Sequence, residues 1–154
     1  SPPIPLHIVG SGVLLTELQQ LVVKLKIQKY VHFHGPIYDK SLLAAFFCSS
    51  HMTFSPRQAG LAVVESMGYG TPFCTYYDAI TGGEIFNIVH DFNGLLLHAR
   101  DTLCCFFLDI HTTPSKYLEY GANALSYYNR FLEPRHFVKS FMSAFDYAYN
   151  ENSV

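Results

Sequence analysis

The sequence predicts an α/β fold, a Rossmann-like parallel sheet flanked by helices and followed by a helical tail. Three observations predict it. Short apolar runs rich in β-formers alternate with segments of helical periodicity through residues 5–100. The links between them are short and punctuated by glycine and proline. From residue 101 onward the strand-like runs stop, and every segment has helical spacing.

The elements follow in order. PLHIVG (5–10) is a β-rich run closed by glycine and reads as the first strand. Leu14, Leu15, Leu18, Leu21, Val22 and Leu25 then share one helical face, predicting a helix from Leu14 to Lys26. YVHFHG (30–35) is the second strand, and after the turn GPIYDK, Ser41 is placed to cap a helix over LLAAFFCSS. HMTFS (51–55) is the third strand, followed by a helix from about Gly60 to Gly68. TPFCTYY (71–77) is the fourth strand; EIFNIV reads as one short helix after Gly82-Gly83. The turn Asp91-Phe92-Asn93-Gly94 introduces a fifth strand over 94–98.

Three helices complete the chain: TLCCFFLDIH, SKYLEYGANALSYYNRF and EPRHFVKSFMSAFDYAYNEN, the last with Pro134 in its first turn. The terminal NENSV is expected to fray. Near-continuous apolar strands are what a sheet covered on both faces requires. The organisation predicted is one domain over 1–154, an α/β core at 5–100 with a helical tail at 101–150.

Composition narrows the function. A net charge of −2 excludes nucleic acid as the main ligand, because phosphate backbones select basic patches. The chain is 49% hydrophobic and 14% charged, well below the ~25% charged of ordinary soluble domains. That surplus of apolar residues points to a partner domain or to membrane proximity. No apolar run approaches the ~20 residues of a membrane span. The opening SPPIPLHIVG has neither an initiator Met nor a basic leader, and reads as a piece of a longer protein. Cys48, Cys74, Cys104 and Cys105 form no CxxC pair and read as reduced thiols of a cytoplasmic protein. His32, His34 and His51 fit no metal-binding spacing, so no metal is expected. His90 and His98 read as turn or surface residues. The tail aromatics Tyr117, Tyr120, Tyr127, Tyr128, Phe131, Phe137, Phe141, Phe145, Tyr147 and Tyr149 read mostly as packing, with an interface patch as the alternative.

Two places carry chemistry. Gly10-Ser11-Gly12 opens the first helix, where backbone can approach an anionic ligand closely; a plain tight turn is the equal alternative. The pattern argues against a nicotinamide dinucleotide: Leu15 stands where the third glycine would fall, and no acidic residue closes the second strand. The second place is SPRQAGLAVVESMGYGTP (55–72). Its loop at Arg57-Gln58-Ala59-Gly60 precedes a helix, so the amides of Gly60 and Leu61 offer donors to a diphosphate. Glu65, one turn on, can accept from paired ribose hydroxyls, or simply face water.

The blocks IVGSG, VHFHGPI, LLAAFFCSSHMTFSP, GLAVVESMGYGTP and DFNGLLL, in this order over residues 6–98, resemble the C-terminal, donor-binding domain of GT-B glycosyltransferases of the retaining family-4 kind. The resemblance implies a nucleoside-diphosphate sugar as donor substrate, no further cofactor, and an acceptor-binding N-terminal domain outside this chain. It implies that Gly60 and Leu61 hold the diphosphate and Glu65 the ribose. Gly12 and Val13, beside Gly10, would line the phosphate side, while Gly35, Pro36 and Ile37 would cradle the base. It further implies a polysaccharide or glycoconjugate product, made in the cytoplasm or at the inner face of a membrane. One departure stands out. The family's E-x(7)-E pattern would place a sugar-binding glutamate at position 57, where this chain has Arg57. A guanidinium accepts no hydrogen bonds and instead binds phosphate or carboxylate. No catalytic residue is assigned. Two other readings stay open: a non-catalytic GT-B-like interaction module, and an NDP-sugar epimerase.

Overall fold

A computed structural model describes residues 4–98 and 102–151. The strands are β1 (Leu6–Val9), β2 (Val31–Gly35), β3 (Thr53–Phe54), β4 (Phe73–Tyr76) and β5 (Gly94–Leu97). The helices are α1 (Leu15–Lys24), α2 (Lys40–Ser49), α3 (Ala62–Gly68), α4 (Thr102–Thr112), α5 (Pro114–Tyr127) and α6 (Pro134–Glu151). A 3₁₀ turn covers Glu84–Asn87, and a π-helical turn, Tyr128–Leu132, joins α5 to α6. The chain divides into two compact units, Ser1–Phe46 and Phe47–Val154.

In the first unit β1 and β2 pair in parallel, with α1 as the crossover between them. The pairing is regular from Leu6↔Val31 to Ile8↔Phe33 and then shifts, so that Val9 faces Gly35 and His34 is left as the extra residue. Gly35 has a positive φ of 67°, and its carbonyl accepts the Gly10 amide at 2.8 Å. α1 ends at a left-handed Lys26, φ 58°. The cap expected from Ser41 is made by Asp39 instead: its Oδ1 accepts the Leu42 amide at 2.8 Å. α2 begins at Lys40, two residues before the Leu42 that the apolar run indicated, so Ser41 lies inside the first turn and Asp39 is the residue whose side chain precedes the helix.

In the second unit β3, β4 and β5 form a parallel sheet in that order. β4 is central and buried along its whole length, as a strand covered on both faces must be. β3 is far shorter than the predicted 51–55, because only Thr53 and Phe54 pair with β4. The core contains Ala59, Val63, Met67, Phe73, Ala79, Ile85, Ile88 and Ala124. The buried Ser66 and Thr71 are satisfied locally: Ser66 Oγ donates to the Thr71 carbonyl at 2.7 Å, and Thr71 Oγ1 donates to the Phe47 carbonyl at 2.7 Å. The Asp91–Gly94 turn is held by Asn93, itself buried, whose Oδ1 accepts the Val89 amide at 2.7 Å and whose Nδ2 donates to the Asn87 carbonyl at 3.1 Å. Gly94 is obligatory, since a Cβ there would lie 2.5 Å from the Phe73 carbonyl oxygen.

α4 and α5 are joined by Asp109, which accepts from Lys116 Nζ at 2.9 Å and from the Tyr117 hydroxyl at 2.7 Å. Tyr117 and Tyr120 are buried, and Tyr127 and Tyr128 pack partly buried against the core, as expected, but the reading of the tail aromatics as packing fails from Phe131 onward. Phe131 in the π-helical turn and Phe137, Phe141, Phe145, Tyr147 and Tyr149 on α6 are exposed, because the core cluster ends at Ala124 of α5 with Tyr127, Tyr128 and Leu132 against it. Asn150 and Glu151 belong to α6; the rest of the terminal segment expected to fray lies outside the described residues. Among the described residues no helix is long and apolar enough to cross a membrane.

Candidate functional site

Apart from Glu65, which lies on α3, the candidate residues fall on the turns that follow strand ends, and each unit carries its own group. In the first unit the β1–α1 turn and the β2–α2 turn meet through the Gly10–Gly35 backbone bond. Gly10 needs its φ of 129°, which an L side chain rarely adopts. Gly12 has open space where a side chain would stand, and Val13 is wholly exposed. Pro36 is exposed and Ile37 half-buried. Gly10, Gly12 and Val13 therefore share one rim with Gly35, Pro36 and Ile37, at the carboxyl ends of two parallel strands. Open α/β sheets bind ligands at such ends.

In the second unit the loop after β3 is strapped to the loop after β4. The Ala59 amide donates to the Ile80 carbonyl at 2.8 Å, and the Ile80 amide returns a bond to the Arg57 carbonyl at 2.9 Å. Ala59 is thereby fully buried, while Arg57 is exposed and, among the described residues, its guanidinium has no carboxylate partner. The Gly60 carbonyl accepts from Val63, and the Leu61 carbonyl from Glu65, which starts α3. Leu61 is 78% exposed at that start. Glu65 is exposed too, and with Leu61, Val64, Gly68, Tyr69 and Tyr128 it lines an open cavity of about 530 Å³. Val63, Ser66 and Met67 on the opposite side of α3 are buried. Of the apolar residues around Glu65 in sequence, Val63 and Met67 thus face the core, while Val64 lines the cavity together with the Glu65 side chain.

Two contributors escaped sequence reasoning. Tyr128 reaches the cavity from the π-helical turn, and no local pattern connects it with Glu65. The loop after β4 is the other. Thr81 Oγ1 accepts the amides of Gly83 at 3.0 Å and Ile85 at 3.2 Å, and Glu84 Oε2 accepts the Gly82 amide at 2.9 Å. This closed turn presents Ile80 to Arg57 and Ala59, and the Thr-Gly-Gly-Glu run was its visible signal. Among the described residues, no group of three or more His, Cys, Asp or Glu is placed to hold a metal ion.

A sequence profile described as glycosyl transferases group 1 matches residues 2–105. Among curated proteins none matches the chain. Several solved structures share its fold. HepE of Anabaena, solved in complex with UDP, superposes with a TM-score of 0.72 at 20% identity, over 92% of this chain and 42% of that one. Sucrose-phosphate synthase of Thermosynechococcus elongatus gives 0.76 at 19%, over 94% and 38%. The C-terminal domain of LpcC, a glycosyl transferase group 1 family protein of Francisella tularensis, gives 0.65 at 17%, over 77% and 62%. The chain thus spans about two fifths of the length of the first two structures. At these identities the likeness is one of fold, the Rossmann-like C-terminal half of GT-B enzymes, and the profile match over most of the chain adds the family. The chain belongs to the glycosyl transferases group 1 family.

Proposed function

We propose that this chain is the donor-binding half of a glycosyltransferase, taking a nucleoside-diphosphate sugar and serving its transfer, with retention, to a glycan or glycoconjugate acceptor. The observation that carries the reading is the family match over residues 2–105, within which Glu65 faces an open cavity. A carboxylate accepting from two vicinal hydroxyls is the chemistry a ribose asks for. The Gly60 and Leu61 amides supply the diphosphate side, Gly10, Gly12 and Val13 line the phosphates, and Gly35, Pro36 and Ile37 take the base. In such a site the protein's share of catalysis is electrostatic, stabilising charge on the departing diphosphate. The donor is a substrate, and the reading calls for no resident cofactor. UDP is the first nucleotide to try, since HepE was solved with UDP and with UDP-glucose. The acceptor side belongs to a domain outside this chain, at the cytoplasmic face of a membrane or in the cytoplasm.

The test is calorimetry or ligand-observed NMR with UDP, GDP and their sugars, on this chain and on its Glu65→Ala variant. Binding by the parent and a loss of about tenfold or more in the variant is expected, one charge-assisted hydrogen-bonding group being worth ~1.5–3 kcal/mol. No binding at millimolar nucleotide, with Glu65→Ala equally silent, sinks the reading. Arg57 favours a second reading, a module that keeps the fold for interaction without transfer. A full-length protein that binds a partner through this chain but transfers no sugar would support it.

A further inference from the structure

The first unit holds a cluster of histidines that the donor-site reading does not use. His7 on β1 faces His32 on β2 in the strand register, and the register shift that follows leaves His34 as the unopposed residue of β2. The three imidazoles consequently form a column. The His7 ring lies 5.1 Å from His32 at 27° and 5.1 Å from His34 at 21°. Phe46 of α2 covers the edge, 5.7 Å from His7 and 4.6 Å from His34. At the centre, His7 Nδ1 and His34 Nε2 are 2.9 Å apart.

That distance makes a demand on protons. Two imidazole nitrogens can bond only when a single N–H lies between them, one ring donating and the other accepting. With both rings neutral the bond exists, and with one ring cationic it becomes charge-assisted. With both rings cationic, two N–H groups confront each other between two like charges, and nothing remains to hold the contact. The bond therefore bridges the bulge in one range of pH and repels across it in another. One residue beyond lies the Gly10–Gly35 bond that closes the same end of the strand pair.

We propose that the His7–His34 contact is a pH-sensitive latch, which holds the bulged end of the β1–β2 pair at neutral pH and releases it in mild acid. His7 is exposed, yet some desolvation, and then the charges of His32 and His34, hold its imidazolium below the ordinary range. Those two histidines are the titratable groups whose charges act on His7; α2 turns the apolar Phe46 toward the rings, and its charged residue Lys40 stands in its first turn. The group with the depressed value stabilises the fold above the ordinary histidine value of 6.5, and that stability is lost as pH falls below it. What the latch releases is the rim formed by the Gly10 and Gly35 turns. If the proposed function holds, donor binding weakens with it, but the latch itself does not depend on that reading.

Amide hydrogen exchange by NMR, corrected for intrinsic rates, tests it at pH 7.5 and pH 5.5 on the chain and two variants. The Gly10 amide reports the bulged end, and the Leu6 amide, bonded to the Tyr30 carbonyl at 2.7 Å, reports the other end. The expected result is a fall of about tenfold in Gly10 protection between the two pH values, with Leu6 unchanged. His34→Gln keeps a hydrogen-bonding side chain that does not titrate, and its Gly10 protection should be the same at both. His7→Phe keeps a stacking ring, and should leave Gly10 weakly protected throughout. Flat protection in the parent overturns the proposal. So does an unaltered pH response in His34→Gln, or a parallel loss at Leu6, which would mark general unfolding. If His7→Phe does not fold, His34→Gln decides alone. No nucleotide enters the experiment, so its outcome is independent of whether a donor binds.

Discussion

The ring of Tyr128 lies directly over Gly68: a methyl group built on that glycine would stand 3.2 Å from both Cε2 and Cζ of the ring. Both residues line the cavity that Glu65 faces. The absence of a side chain at the end of α3 thus lets an aromatic residue from a distant turn form one wall.

Gly68→Ala opposes two effects of similar size. Alanine is favoured over glycine in a helix by about 1 kcal/mol, while the displaced Tyr128 ring costs about 1–3 kcal/mol of strain if it cannot move. A partly exposed ring can move, so the unfolding free energy should change by no more than about 1 kcal/mol. The cavity wall should shift nonetheless. Tyr128 ring resonances should move, and if nucleotide occupies this cavity its affinity should fall; unchanged Tyr128 resonances would refute the contact.

Gly121 of α5 allows no such relief. A Cβ there would clash with the backbone carbonyl oxygen of Gly70, and backbone in a packed core does not yield as a side chain does. Gly121→Ala should cost about 3 kcal/mol, at the upper end of overpacking effects. Gly12→Ala, with open space around it, should stay within about 0.5 kcal/mol. Urea unfolding of the two variants, side by side, is the measurement.

Asp109 should make stability fall in acid. Hydrogen bonds from Tyr117 and then Lys116 hold its carboxyl below the ordinary value of 3.8. A carboxylate so depressed contributes stability above its unfolded value, and loses it as pH drops through the folded one. Tyr117→Phe should cost about 1 kcal/mol at pH 7, and less as pH falls below 3.8, where Asp109 takes up its proton. Unfolding midpoints at pH 7 and pH 3 would check both signs; an equal loss at both would remove Asp109 from the account.

The thiols should divide sharply by reactivity. Cys48, Cys104 and Cys105 are exposed, whereas Cys74 is fully buried in β4 and burial pushes its thiol up to about 12. Only thiolate attacks a disulfide reagent. At pH 8 the three exposed cysteines should react within minutes, and Cys74 only after denaturation. A fourth fast thiol would mean that the sheet opens readily.

The order of elements was legible because each strand and helix shows its period within a few residues. β4 could be read from TPFCTYY, a run of β-formers opened by a proline, and the β5 turn from Asp91 to Gly94. Capping was misread at α2 because two candidate side chains, Asp39 and Ser41, stand two residues apart. Only the position of the first helical turn chooses between them. The aromatic tail was misread for a related reason. Helical spacing shows that Phe137, Phe141 and Phe145 share a face, but not whether anything lies against it, and here the core ends before α6.

By itself, the sequence determined the α/β alternation, the glycines at strand ends and a lone carboxylate in an apolar helix, since each depends on residues within about one turn of one another. Only the tertiary structure decided what Glu65 faces, that Tyr128 stands beside it, that Ile80 straps Arg57 and Ala59, and that His7 bonds His34 across a bulge. Those contacts join residues more than twenty positions apart. They are set by register, loop path and the close packing of side chains, none of which is written in a local period.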